Sequence, residues 1–167
     1  MSYTERIDLL ELEIMKFNQS DAKRIQHLVK VHRFAQMIGH MEKLDEHTQF
    51  LTECAALVHD IGIRPAEEKY GVCNGKIQEQ EGPAYARKML KELKFDETDI
   101  DRICYLVGHH HTYTNIDGID YQILVEADFL VNFYEDELRQ DPIRAAFDKI
   151  FRTESGKTLC KISYFKE

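Results

Sequence analysis

The sequence has few of the residues that interrupt helices. Three prolines (Pro65, Pro83 and Pro142) and eight glycines are spread over 167 residues, so long segments can hold a helical period unbroken. Positive charge is also scarce: Lys and Arg number 22 against 30 Asp and Glu, a net charge of -8. That balance argues against a cationic face for duplex nucleic acid. An anionic small molecule would have to be drawn by local charge. No apolar run reaches the roughly 18 residues of a membrane span, so no membrane partner is expected. The opening residues, MSYTERIDLLELE, lack the apolar core of a signal peptide. Cys54, Cys73, Cys104 and Cys160 stand far apart with no CxxC pair. A thiolate zinc site is therefore not expected, and the cysteines read as reduced thiols of a cytoplasmic protein.

The length suits one domain, and 43% hydrophobic with 31% charged residues is an ordinary globular composition. Residues 3–17 read as an amphipathic helix with Ile7, Leu10, Ile14 and Phe17 on one stripe. Ser20-Asp21 caps a second helix running to about Met41. A third runs from about Asp45 to Asp60 and stops at Gly62, and residues 61–77 read as a loop with room for a short helical turn. A fourth helix is expected from Glu79, with Pro83 in its first turn, to Leu93. A fifth starts at Asp96–Asp99 and ends around the histidine run, and a sixth spans about 119–138. Asp141-Pro142 opens a seventh, to about Phe151, and the tail GKTLCKISYFKE reads as a strand-like or irregular arm. The whole chain, 1–167, is thus expected to be one all-α helical bundle, with no repeat or linker.

Several polar residues fall on apolar stripes. His27 shares a face with Val31 and Ala35, although His32, beside Leu28 and Ala35, remains a rival. His59-Asp60 emerges after Leu51, Cys54, Ala55 and Val58, at the buried end of the third helix. Asp128 is four residues after Leu124 and three before Val131. It shares a stripe with Ala127, Leu130 and Tyr134, whereas Glu126 and Asn132 fall off it. His110 and His111 extend the Ile103–Val107 stripe, and His109 leans toward solvent. Alone, His27 reads most simply as a satisfied core histidine and Asp128 as a buried aspartate capping a neighbouring element, whereas His110 and His111 are read as functional over His109. Together, His27, His59, Asp60 and Asp128 are imidazoles and carboxylates without thiolate, a donor set that suits a divalent first-row ion such as Fe, Mn, Co, Ni or Zn.

These residues resemble the HD-domain metal-dependent phosphohydrolase superfamily, whose ordered pattern is H…HD…D. The first His stands in HLVKVHRFA, the doublet in AALVHDIG and the last Asp in LVEADFL, over roughly residues 20–135. Arg24 precedes the first His by three residues, as in related members, and GHHHT resembles the family's histidine-bearing segment. Binuclear members carry an added His where this chain reads QEQEGPAYARKML, so one metal is expected more than two.

The resemblance implies a helical bundle around one metal centre and hydrolysis of a small phosphate ester or a nucleotide. His27, His59, Asp60 and Asp128 would be the ligands. Asp60 would take a proton from water, and His110 or His111 would bind phosphate or protonate the leaving oxygen. Arg24 and Arg64 would clamp the phosphoryl group. Residues 61–77 and 112–120 would line the pocket, with Tyr70, Tyr113 and Asn115 as candidate contacts. Two other readings fit the same fold: a non-heme di-iron oxygenase drawing on His110 and His111, and a non-catalytic ligand-sensing domain. The apolar first helix and the tail would pack on the bundle or on a second subunit, giving a homodimer.

Overall fold

Short polar side chains begin most of the helices by accepting otherwise unpaired N–H groups. Ser2 and Glu5 form a reciprocal capping box at the start of α1 (Tyr3–Phe17). Asp21 caps α2 (Ala22–Met41), and Asp45 caps α3 (Glu46–Val58). A short α4 (Ile63–Tyr70) ends at Gly71, whose φ of 71° suits glycine. Asn74 accepts from the Ile77 N–H to open α5 (Gly75–Glu92). Then come α6 (Glu97–Val107), α7 (Ile119–Glu135), α8 (Gln140–Ile150) and α9 (Glu154–Tyr164). The structure, a computed structural model, describes residues 1–166, and these hold nine helices and no strand. Among them no helix is long and apolar enough to cross a membrane.

α3 is the central element. Every residue from Gln49 to Val58 is buried, as expected of a helix covered on all sides. It packs against α1, α2, α6 and α7, and α2 also packs along α7. α1 seals one side with Ile7, Leu10 and Ile14. The turn after α3 is pressed onto α5: a Cβ on Gly62 would lie 2.7 Å from the Gln78 carbonyl oxygen and 2.8 Å from the Gly82 nitrogen. Glycine there lets the His59-Asp60 turn dock directly on α5.

Several boundaries differ from the sequence expectation. Residues 61–77 are mostly helical, because α4 forms and the Asn74 cap starts α5 four residues before Glu79. Pro83 consequently lies inside α5 rather than in its first turn. The tail is neither strand-like nor irregular: Thr153 caps α9, which packs on α2, α7 and α8. Glu126, expected off the buried stripe, is fully buried and accepts from the Arg152 and Thr153 N–H groups and the Thr153 hydroxyl. Tyr134, expected inward, is 73% exposed: Phe133 before it is buried and Glu135 after it turns to His27, which leaves Tyr134 on the outer side of α7.

Candidate metal centre

α3 ends at Val58, so His59 is its C-cap and Asp60 follows in the turn. His27 comes from the second turn of α2 and Asp128 from the middle of α7. Their donor atoms converge. His27 Nε2 lies 3.2 Å from His59 Nε2, 3.2 Å from Asp60 Oδ2 and 3.3 Å from Asp128 Oδ1. His59 Nε2 lies 3.5 Å from Asp60 Oδ2 and 3.4 Å from Asp128 Oδ1. Neighbouring ligands about 2.1 Å from one ion would stand about 3.0–3.4 Å apart in octahedral or tetrahedral geometry. The observed separations fit a single divalent ion.

The hydrogen bonds behind the cluster fix which atoms face inward. His59 Nδ1–H donates to the Ala56 carbonyl at 2.7 Å and His27 Nδ1–H to Glu135 Oε1 at 2.6 Å. In the neutral rings both Nε2 atoms therefore carry the lone pair, facing the cluster. Asn132 steadies Asp128 by donating to Oδ1 at 3.0 Å. Two imidazole lone pairs and two carboxylates in a buried space repel one another without a cation. The titration behaviour expresses the same demand. Burial pushes His27 down, but Asp128 and Asp60 outweigh it and raise it to about 11. His59 is raised against its burial by Asp60 and Asp128. Burial favours the neutral forms of Asp60 and Asp128, yet the facing imidazoles hold both below the usual carboxylate range. The residues present thus fit a divalent ion by charge, donor type and spacing.

His110 and His111 have different surroundings. His110 is fully buried; its Nδ1–H donates to the Val107 carbonyl at 2.8 Å, and its Nε2 has no hydrogen-bond partner, 3.3 Å from Asp60 Oδ1. It backs Asp60 and does not reach the open cavity, so its expected contact with substrate is not what the structure shows. His111 does line the cavity, paired through Nε2 with Gln78 Oε1 at 2.8 Å. Burial and the neighbouring His110 lower His111 to about 4, so at neutral pH it is an uncharged hydrogen-bonding group rather than an acid. Asp60, His110 and His111 form a second grouping that could hold an ion.

The cavity over the cluster has a volume of about 360 Å³ and is lined by Lys23, Arg24, Gln78, His111 and Asn132 besides His27, Asp60 and Asp128, with His59 buried behind them. Arg24 is held there between Asp21 and Glu67, each at 3.3 Å. Arg64 is placed elsewhere. It donates to the Phe17 carbonyl at 2.7 Å and pairs with Glu68, lining a separate groove at the end of α1. Tyr70 donates to Glu81, Tyr113 approaches His111 Nδ1 at 3.4 Å, and Asn115 is exposed in its turn. His32, the rival to His27, pairs with Glu53 outside the cluster. Glu135, Asn132 and Gln78 are not among the residues expected from sequence. Asn132 and Glu135 follow Asp128 by four and seven residues, and that same-face spacing was the available signal.

An all-α bundle that gathers two histidines and two aspartates from three of its elements defines a metal-site domain. The HD-domain family profile matches residues 24–149, and the chain belongs to that family. It is also similar to a predicted HD superfamily hydrolase from an uncultured Thermotogales bacterium, whose crystal structure it matches with a TM-score of 0.64 and 27% identity over 96% of this chain and 84% of that one. No curated protein matches.

Proposed function

We propose that this protein is a metal-dependent phosphohydrolase acting on a small phosphate ester or nucleotide, with His27, His59, Asp60 and Asp128 as metal ligands. The observation that carries the reading is the convergence of the His27 and His59 Nε2 atoms with Asp60 Oδ2 and Asp128 Oδ1, each nitrogen 3.2–3.5 Å from each oxygen, beneath an open cavity bordered by Arg24. A bound divalent ion would supply Lewis acidity to a phosphoryl oxygen and a water of lowered pKa. Arg24, fixed between two carboxylates at the cavity wall, would hold phosphate oxygens. Asp60 would accept a proton through the oxygen that His110 faces. His111 would orient substrate as a neutral partner. The similarity to a predicted hydrolase supports a hydrolytic reaction.

One observation favours a second reading. Asp60 turns Oδ2 to His27 and His59 and Oδ1 to His110, the posture of a carboxylate that bridges two ions, as oxygen chemistry at a di-iron site would need. Elemental analysis of the purified chain, with turnover of phosphate esters and a nucleotide panel in Mn, Co, Ni, Fe or Mg, tests both. About one ion per chain with phosphate release is expected. Two irons with oxygen uptake would replace that reading. Ligand-induced thermal stabilisation without turnover under any metal would indicate a sensing domain.

A further inference from the structure

We infer that Glu135 is the positioning residue for His27, fixing the ring so that Nε2 keeps its lone pair for the ion. This rests on the metal-centre reading above.

Each histidine facing the cluster needs an acceptor for its Nδ1–H if Nε2 is to stay unprotonated. His59 and His110 find one in the backbone. Each stands just past a helix end and donates to a carbonyl three residues earlier, Ala56 or Val107, in the last turn where intrahelical donors run out. His27 has no such carbonyl, because it lies in the second turn of a 20-residue helix whose carbonyls serve the helix itself. The acceptor has to come from another element, and α7 supplies Glu135 at 2.6 Å. The Glu135 side chain is 13% exposed, and its other oxygen lies 3.5 Å from Lys30 Nζ. α7 therefore carries on one face a ligand (Asp128), the side chain that steadies it (Asn132) and the side chain that steadies a ligand on α2. A charged acceptor also makes the ring a stronger donor to a cation than a carbonyl would. The rival account is that Glu135 serves only as a helix-to-helix ion pair with Lys30.

The test is cobalt(II) titration of the full chain against a competing chelator, read by the cobalt absorption bands and the dissociation constant, for wild type, Glu135→Ala, Glu135→Gln and Lys30→Ala. Glu135→Ala is expected to weaken cobalt binding about 10–100-fold. Glu135→Gln should lose less, since its amide oxygen still accepts the Nδ1–H, and should shift the bands. Lys30→Ala should stay within roughly twofold of wild type. Cobalt affinity in Glu135→Ala within twofold of wild type, or an equal loss in Lys30→Ala, overturns the inference. Should Glu135→Ala fail to fold, Glu135→Gln decides: altered bands with weaker binding support it, and wild-type bands and affinity overturn it. A wild-type chain that takes up no cobalt overturns the metal-centre reading and this inference together, whereas normal uptake with no effect at Glu135 overturns the inference alone.

Discussion

Helices α2 and α3 meet around two buried polar clusters, and only one of them is balanced. Toward α1, Glu53 is 4% exposed and accepts from His32 Nε2 at 2.8 Å, Gln36 Nε2 at 3.0 Å and Gln49 Nε2 at 2.7 Å. Burial would raise its pKa, but those donors outweigh it and keep it lowered. Toward α7, His27, His59, Asp60 and Asp128 bring four acceptors together, and Asn132 is the donor they receive. Both clusters draw one histidine from α2, five positions apart. The first needs no cation, since its one carboxylate meets three N–H donors and only the neutral Gln49 Oε1 is left unpaired. The second is short of positive charge, and a cation is the remedy its geometry allows. The fully buried Glu126, with donors from Gln122, Arg152 and Thr153, belongs with the balanced kind: it joins α7 to α9. Burial of a polar residue therefore does not mark function in this bundle; carboxylates gathered with imidazoles and too few other donors do.

The sharpest way to break this comparison is to delete one acceptor on the unbalanced side. Asp128→Ala should lose the bound ion and lower turnover of a phosphate ester by more than about a hundredfold, the upper range for groups that merely orient a ligand. Its helix content should stay at the wild-type level, since α7 keeps its apolar contacts. Elemental analysis and a rate assay on the same sample check this. Full metal content in the variant would mean that the four donors do not act on a common ion.

Deleting the acceptor on the balanced side should do the reverse. Glu53→Ala strands the N–H groups of His32, Gln36 and Gln49 and opens a void, so about 2–4 kcal/mol of folding stability should go. Urea unfolding reads this loss, while metal content and catalytic rate per folded molecule should stay at wild-type values. A drop in metal content larger than the drop in folded fraction would show that the two clusters are coupled through α2 and α3.

Much of this was legible in the sequence, for physical reasons. The Asp21 cap and the 3.6-residue stripes mark α1 to α3, and the same stripes place His27, His59 with Asp60 after it, and Asp128 toward the interior. What periodicity gives is a direction from one helix axis, not the identity of what lies opposite. So Arg64 could be assigned to phosphate although it turns to the Phe17 carbonyl, and Glu135 went unassigned although it touches His27. Asn132 and Glu126 flank the stripe of α7 and looked exposed. They are covered because α2 packs on one side of α7 and α9 on the other. α9 was hidden for a related reason: its helix depends on the Thr153 cap and on burial of Cys160, contacts that the residues ISYF, with their strand-like composition, do not disclose.

The mildest test of the comparison is pH. In chelated protein a proton can stand where the ion would, since Asp128 and Asp60 raise His27 to about 11 against the lowering effect of its burial. A group whose folded pKa is raised gives stability that is complete below its unfolded value of about 6.5 and is lost as pH climbs toward the folded value. Chelated protein should thus become less stable from pH 6.5 upward. At the acid end, Asp60 and Asp128, with lowered pKa values, give stability that is present above about 4 and lost as pH falls further. With His27 as a ligand, metal-loaded protein would carry no proton on Nε2, and its stability should escape the loss above pH 6.5. The gain in melting temperature on adding metal should therefore widen between pH 6.5 and 8.5, with affinity rising about tenfold per pH unit for each proton displaced. Glu53→Ala should keep that widening, because the balanced cluster takes no part in it. Scanning calorimetry with and without chelator at three pH values checks this, and a gain independent of pH would show that no proton competes with the ion for His27.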